Sequence, residues 1–460
     1  MKSIALVSVA LCCATGFGQT PPADQIRAIA ARAYTFAYPM VLMEYTRRNA
    51  VGPNGAGANR LANAAAFPVA GVGNVIRPNA DTLYSSAWID VSKEPVILHV
   101  PDTHGRYYLM QFMDAWTETF SVPGKRTTGT GEGLFAIVGP GWSGRLPEGA
   151  RRVDAPTNTV WLIGRTQTNG PADYENVHAI QEGYKLMPLS VYPDGVRTVG
   201  GGITRRVNRA EMTPPRMVAA LSPVEFFTLF ASLLAANPAH ADDGPTMKEL
   251  ARIGIVPGKA FDAGILDAAG LAALQEGAKT AAGRLTGERG VGGTGGRAMG
   301  WTGGSGAVGR YGTNYAARAA VARGGLGANP PEDAVYMNCA TDSAGEALDG
   351  SRSYRIHFAK DGMPPVRAFW SITMYGLDGF FVANPIDRFA IGDRDALKFN
   401  ADGSLDIYIS HDDKASHDDK ASNWLPAPSG GFNLSLRLYW PSEAILAGRW
   451  VPPVLVREAL

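Results

Sequence analysis

The sequence predicts a mainly β protein with an α insert: two antiparallel β domains, residues 61–200 and 334–460, joined by a helical segment at 201–333. Three observations predict it. Short strand signals, each bounded by Gly, Pro, Asn or Asp turn chemistry, fill the first and last stretches, with no helical pattern between neighbouring strands. Apolar residues at helical spacing, with caps, take over near residue 205. The 55 glycines in 460 residues exceed the usual ~7%, yet 12 of them crowd into residues 287–312, and the rest are spread as hairpin turns require.

Residues 1–18 read as a secretion signal: one lysine, an apolar run over 4–13, then small residues that suit signal peptidase. The run is too short to span a bilayer, which takes about 20 residues, and Leu11 ahead of Cys12 does not suit lipidation. With Cys12 and Cys13 removed, only Cys339 remains and no internal disulfide can form. Residues 19–60 hold an N-terminal helix and connector. The helix places Ile26, Ile29, Ala30, Ala33, Phe36, Ala37, Met40 and Val41 on one stripe, with a kink expected at Pro39.

Strands are expected at 82–89, 96–100, 106–114, 134–138 and 159–164, a spacing that suits an antiparallel sandwich. In the insert, Ser222-Pro223-Val224-Glu225 combines a capping box with proline at the first helical position, and Asn237-Pro238 stops that helix. Further helices are expected at 246–253, 267–285 and 313–323. The glycine-rich tract at 287–312 reads as a plain linker, with a flap over a pocket as the other reading. Strands return at 354–358, 366–375, 405–409 and 434–440.

Charge excludes several partners. Lys plus Arg (43) balances Asp plus Glu (42), so a net charge of +1 leaves no electrostatic footprint for nucleic acid or an anionic membrane. No later apolar run is long enough for an integral membrane segment, which leaves an exported, soluble protein, periplasmic or secreted. No G-x-S-x-G, H-E-x-x-H, EF-hand or Walker A pattern occurs. A G-x-G-x-x-G match at 304–309 sits between glycines rather than between a strand and a helix, so it names no dinucleotide cofactor. The seven histidines lack helical ligand spacing, and no metal site is assigned. Residues 411–422 repeat His-Asp-Asp-Lys-Ala-Ser twice; this is a solvated hairpin tip or a carboxylate cradle for a cation.

Candidate site residues come from three places. In Arg77-Pro78-Asn79-Ala80-Asp81-Thr82-Leu83-Tyr84, Asn79 and Asp81 brace turns, or Asp81 serves as base and Tyr84 as hydroxyl donor at a pocket rim. On the strand at 106–114, Asp114 ends an otherwise apolar face, as an acid/base group or as the ion-pair partner of an arginine such as Arg106. In the last domain, Asp387-Arg388 and Asp393-Arg394 form a salt-bridge lattice or hold an anionic ligand, and Trp424 stacks on a ring or covers the sandwich end.

These segments resemble a bacterial envelope family built from two domains of unknown function, catalogued as 1254 and 1214. The first part of the resemblance rests on residues 78–86, Val100-Pro101-Asp102, Gly105-Arg106-Tyr107-Tyr108, Arg126-Thr127-Thr128-Gly129 and Tyr184-Lys185-Leu186. The second rests on Phe369-Trp370-Ser371, Asn384-Pro385, Ile391-Gly392-Asp393-Arg394, residues 423–428 and Leu438-Tyr439-Trp440-Pro441, with Gly324-Gly325-Leu326-Gly327-Ala328-Asn329 in the insert. The resemblance implies an immunoglobulin-like sandwich followed by a jelly-roll-like domain. It implies no reaction and carries no catalytic residue across; the duplicated loop departs from it.

Two functions are compatible with these residues. One is an enzyme acting on a small molecule in a pocket between two barrel-like β domains, with Asp81, Tyr84 and Asp114 in acid/base roles and Asn79, Arg106, Arg388, Arg394 and Trp424 binding the ligand. The other is a noncatalytic ligand-binding or envelope protein in which the same residues brace turns. Substrate, cofactor and oligomeric state are not specified by the sequence.

Overall fold

The apolar stripe near the start forms a helix longer than its pattern, α1 (Ala23–Val51), which runs through Pro39. From Tyr34 to Glu44 every side chain but Thr35 is buried, so α1 is a central post rather than a surface helix. The computed structural model describes residues 21–53, 55–71, 77–194, 202–204, 213–287, 297–298, 300–304, 306–411 and 420–458. The leader at 1–18, much of the glycine tract, and most of the duplicated acidic repeat lie outside the described residues.

The first β domain contains β1 (Ala62–Ala64), β2 (Thr82–Asp90), β3 (Val96–Val100), β4 (Tyr108–Asp114), β5 (Thr119–Ser121), β6 (Gly133–Val138), β7 (Arg151–Asp154), β8 (Thr159–Gln167), β9 (Lys185–Pro188) and β10 (Gly202–Thr204). They make two sheets, ordered β10-β1-β2-β8-β4-β5 and β7-β6-β3-β9, over a core that includes Leu98, Met110, Phe112 and Leu162. Between β8 and β9 the chain forms a helix, α2 (Tyr174–Gly183), that the strand-by-strand reading lacks. Gly170-Pro171 before it and glycine at its end were the available signals. Only Val177 and Gln181 of α2 are buried, so its apolar stripe is too short to register as a periodic pattern.

The insert supplies α3 (Pro214–Ala219), α4 (Pro223–Leu234), α5 (Gly244–Ala251), α6 (Ala268–Gly287) and α7 (Tyr315–Gly325). Ser222 caps α4 through the expected box with Glu225. These helices pack around α1 into one apolar cluster with Phe36, Phe226, Phe230, Leu250 and Leu274 inside, so the N-terminal helix and the insert form a single layer.

The second β domain contains β11 (Arg297–Ala298), β12 (Trp301–Gly303), β13 (Ala334–Cys339), β14 (Tyr354–Phe358), β15 (Val366–Gly376), β16 (Ala390–Gly392), β17 (Leu405–Ser410), β18 (Trp424–Pro426), β19 (Phe432–Pro441) and β20 (Leu455–Arg457). Its sheets run β11-β12-β13-β19-β15-β16 and β18-β17-β14-β20. Neither domain closes into a barrel. Pairing is antiparallel except where the short edge strands β10, β7 and β18 join in parallel. The described part of the glycine tract is built in rather than loose: β11 and β12 extend this sheet, and Trp301 is buried with its indole N–H on the Pro453 carbonyl at 2.8 Å. Among the described residues no helix is long and apolar enough to cross a membrane.

Close approach of α6 to α1 depends on Gly277, where a Cβ would collide with the Arg27 carbonyl. Gly277→Ala is expected to cost about 1–3 kcal/mol despite its better helix propensity. Urea unfolding would check this; an unchanged or higher midpoint would show that the helix pair can part freely.

Candidate functional site: the seam between the two β domains

Strand alternation sends one face of each large sheet into its own core and the other toward the partner domain. In the second domain Val335, Met337, Leu434, Leu436, Leu438, Ile372 and Met374 fill the core. Between them Tyr336, Arg437, Tyr439, Phe369, Ser371, Thr373 and Tyr375 take the opposite parity. In the first domain Met110, Phe112, Leu162 and Ala87 face the core, while Tyr84, Arg165, Tyr107, Leu109 and Gln111 take the other parity. Register aligns Tyr84 with Arg165 and Leu109 on one sheet, and Tyr336 with Arg437 and Ser371 on the other. The sheets meet through Tyr107, whose ring lies 5.5 Å from Phe369 and 6.1 Å from Tyr439.

The segment Arg77-Pro78-Asn79-Ala80-Asp81 is a tongue from the first domain gripped by the second. Asp81 is wholly buried; one carboxylate oxygen accepts from Arg394, and the other accepts from the Ser371 hydroxyl at 2.9 Å. The same guanidinium donates to the Asp81 carbonyl at 3.1 Å and the Thr168 carbonyl at 2.8 Å, and it stacks over Phe369 at 4.3 Å. Asn79 caps the turn, its side-chain oxygen accepting the backbone N–H groups of Asp81 and Thr82 at 2.5 and 3.1 Å. Its amide nitrogen crosses to the Tyr439 hydroxyl at 2.8 Å. The Pro78 carbonyl accepts from Tyr375 at 2.6 Å and from Arg437 at 3.2 Å.

Two guanidiniums in this seam lack a counter-ion. Arg165, 4% exposed, donates to Gln111, Asn329 and the Gly327 carbonyl, and lies over the Tyr84 ring at 5.1 Å. Arg437, also 4% exposed, donates to Thr373 and the carbonyls of Arg77 and Pro78, beside the rings of Tyr375 and Tyr336. Every one of these acceptors is neutral, and the Nε–H groups of Arg165, Arg394 and Arg437 make no hydrogen bond among the described residues. At the rim, Asp393 sits 3.9 Å from Arg394; burial pushes its carboxyl up to about 6, and Asp81 adds to the rise. Burial likewise raises the Tyr336 and Tyr439 phenols.

Residues 58–188 match the family described as protein of unknown function DUF1254, and residues 333–443 match protein of unknown function DUF1214. The chain belongs to the family built from these two domains. A crystal structure of the VPA0106 protein from Vibrio parahaemolyticus is similar with a TM-score of 0.71 and 25% identity, covering 94% of this chain and 100% of that one. An uncharacterized protein from Burkholderia cenocepacia aligns with a TM-score of 0.43 and 12% identity, covering 95% of this chain and 92% of that one. No curated protein matches the sequence.

The seam between the DUF1254 and DUF1214 domains thus brings together Asn79, Asp81, Tyr84 and Arg394. The other candidates lie elsewhere. Asp114 is five residues further along β4 from the Tyr84 row, about 17 Å away at strand spacing. It does not pair with Arg106. Instead it accepts from His240 at 2.6 Å, while Arg106 forms a two-pronged pair with Asp173 at 2.5 and 2.9 Å. The cause is position: Arg106 precedes β4 and Asp114 ends it. Arg388 holds the carbonyls of Ala421, Ser422 and Trp424 rather than Asp387. Trp424 is buried in the DUF1214 domain with its indole N–H on Ser410.

His240 extends the Asp114 contact into a cluster linking the DUF1254 domain to the helical layer. Its other ring nitrogen is 3.5 Å from Asp243, which also accepts from Tyr315 at 2.9 Å. Burial works against the imidazolium, but the carboxylates of Asp114 and Asp243 override it and push the pKa up to about 9. Arg165, Arg437, Tyr336, Tyr439 and His240 escaped the sequence reading. For the four strand residues the signal was parity: an arginine alternating with leucines in Leu434–Tyr439 reads as solvent-facing until a second sheet is known to cover it.

Replacing Asp81 by asparagine leaves Arg394 buried without its counter-ion, so a loss of about 3–5 kcal/mol is expected in urea unfolding. A drop below 1 kcal/mol would show that the pair does not hold the domains together. For His240 the folded pKa is raised, so its contribution is full below about 6.5 and fades as pH climbs through 9. The melting temperature should therefore fall more steeply between pH 7 and 9 than in His240→Gln; parallel curves would refute the charged pairing.

Proposed function

We propose that the protein binds a small anionic molecule in the seam between its DUF1254 and DUF1214 domains. The observation behind this reading is the pair of buried guanidiniums, Arg165 and Arg437, that have only neutral hydrogen-bond partners among the described residues. Taking an ion out of water costs several kcal/mol unless an opposite charge compensates. The nearest carboxylate, Asp81, is committed to Arg394 and Ser371. A bound anion would supply the missing charge. Tyr84, half-buried beside Arg165, marks the side from which solvent reaches the seam.

The carboxylates that suggested catalysis are both engaged, Asp81 with Arg394 and Asp114 with His240. This favours ligand binding over acid/base turnover. The leader-like residues 1–18 support an exported protein, so the ligand would be met outside the cytoplasm; N-terminal sequencing of protein from an envelope fraction checks that part.

Arg437→Met and Arg165→Met are expected to abolish stabilisation by anions, and to cost the unliganded protein about 1–3 kcal/mol because each leaves buried oxygens without their donor. In the native protein, an anion at 100 times its dissociation constant should add about 2.7 kcal/mol. Calorimetric titration of dialysed protein and native mass spectrometry of the purified protein provide the readout. If no anion binds or co-purifies, the arginines are structural and the proposal fails.

A further inference from the structure

A groove in the helical layer, separate from the seam, lies between the end of α3, the start of α4 and the flank of α6. It measures about 480 Å³, within the size range of small-molecule sites. Tyr34 of α1 lines it, only 6% exposed, with its ring fixed by stacking on Phe226 at 4.2 Å. Its hydroxyl has no hydrogen-bond partner among the described residues. Burial pushes the phenol up to about 12, so it stays protonated and able to donate. A phenol this deep that lines a groove and bonds to nothing in the chain is a polar contact left open for a ligand.

The walls combine apolar surface with opposite charges. Gln275, Ala278, Lys279 and Ala282 recur at i, i+3, i+4 and i+7, which places two polar heads and two small apolar side chains on one face of α6. Ala220, Leu221 and Pro223 supply the apolar part of the other wall, which ends at Glu225. Glu225 accepts the Ser222 N–H at 2.8 Å, and hydrogen bonds from Ser222 hold its carboxyl below its usual range. A carboxylate on α4 and an ammonium on α6 thus line the same groove, yet they form no ion pair with each other or with any other described residue.

We infer that this groove binds a free α-amino acid with an apolar side chain, its carboxylate held by Tyr34, Gln275 and Lys279 and its ammonium by Glu225. The charges decide the class. A purely anionic or cationic ligand satisfies one wall and meets like charge on the other, and a neutral one satisfies neither, whereas an α-amino acid carries both signs on one carbon. The donors stand on α1 and α6 and the acceptor on α4, so the zwitterion lies across the groove and its side chain is left to the alanines and Leu221. Burial of that apolar part adds to the two charge contacts, which at so exposed a rim contribute little each.

The test is calorimetric titration of the native protein, at low ionic strength, with leucine, with leucinamide, which lacks the carboxylate, and with N-acetylleucine, which lacks the ammonium. Leucine is expected to bind about fivefold more tightly than either analogue, the ratio set by one exposed charge pair. Tyr34→Phe should weaken leucine about tenfold, the worth of one hydrogen bond to a charged group. Glu225→Gln keeps the capping box and should remove the preference for leucine over N-acetylleucine, while Lys279→Met should remove the preference over leucinamide. Those ratios would not move if the residues only supported the fold. Repeating the titrations in Arg165→Met separates the two sites: leucine binding that persists there belongs to the groove, and binding lost there belongs to the seam and overturns this assignment. No binding of leucine, equal binding of either analogue, or native affinity in Tyr34→Phe would overturn it as well, with the anion reading of the seam untouched.

Discussion

The ion pair between Asp81 and Arg394 is the constraint on which the arrangement of the two β domains rests. It joins residues 313 positions apart and has no access to water on the aspartate side. A buried carboxylate of this kind tolerates little displacement, because losing its partner leaves an uncompensated charge in a low-dielectric setting. Ser371 takes the second oxygen, and the backbone carbonyls of Asp81 and Thr168 take the other end of the guanidinium. The pair is therefore wired from both sides, with the Arg394 Nε–H alone left without a partner among the described residues. Once it forms, the tongue at 77–81 has one position, and Asn79 and Pro78 meet Tyr439, Tyr375 and Arg437 at hydrogen-bond distance.

A second joint, of different design, holds the helical layer. Asp114 ends β4, caps its own turn by accepting the backbone N–H groups of Trp116 and Glu118 at 2.9 Å, and then reaches His240. Glu118 from the same turn accepts from Arg318 of α7. Here the charges are balanced by neighbours, and rings of Trp116, Phe36 and Phe230 pack alongside. The contrast clarifies the seam. Where this chain needs polar contacts for architecture alone, as at Asp114 or in the two-pronged Arg126–Asp333 pair at 2.7 and 2.9 Å, it matches cation to anion. Arg165 and Arg437 depart from that habit.

Element types were largely legible because they are local. Period-two runs ending in Pro-Asp or Gly-Pro turns, and the Ser222–Glu225 capping box, are decided by a few neighbouring residues, and the structure forms them near the expected positions. The helix α2 was hidden by its short stripe. The site was half legible. Asn79, Asp81 and Tyr84 stood out because a polar cluster at the start of a strand is unusual, and Arg394 because of its Asp393 neighbour. Its partners were invisible for a physical reason: alternation says only that a residue has a wet side or a dry side. Arg437 between Leu436 and Leu438 reads as a wet-side residue, and only the stacking of a second sheet, built from strands within residues 82–167, makes that side dry. The same gap separated Asp114 from Asp81, since nearness along the sequence says little about which end of a sheet a residue occupies.

Why a chain would keep two unmatched guanidiniums follows from comparing the seam with its own alternatives. The apolar packing of Tyr107, Phe369 and Tyr439 shows that this interface can be closed by rings, and leucine or methionine at 165 and 437 would extend that packing without burying charge. As structural residues the two arginines serve the oxygens around them, Arg437 holding the Arg77 and Pro78 carbonyls and Arg165 the Gly327 carbonyl; their charge is surplus to that role, and it is the charge that the proposed anion would use. The neutral acceptors around each Nη atom hold the guanidiniums in place without neutralising them, which keeps their charge available. Asn79 and Asn329 carry the same logic to the phenols: an amide that donates to a phenol oxygen turns the phenol's hydrogen outward, converting a two-way group into a donor. The seam is thus ordered in its hydrogen bonding and deficient in negative charge, the two properties on which the proposed anion binding draws.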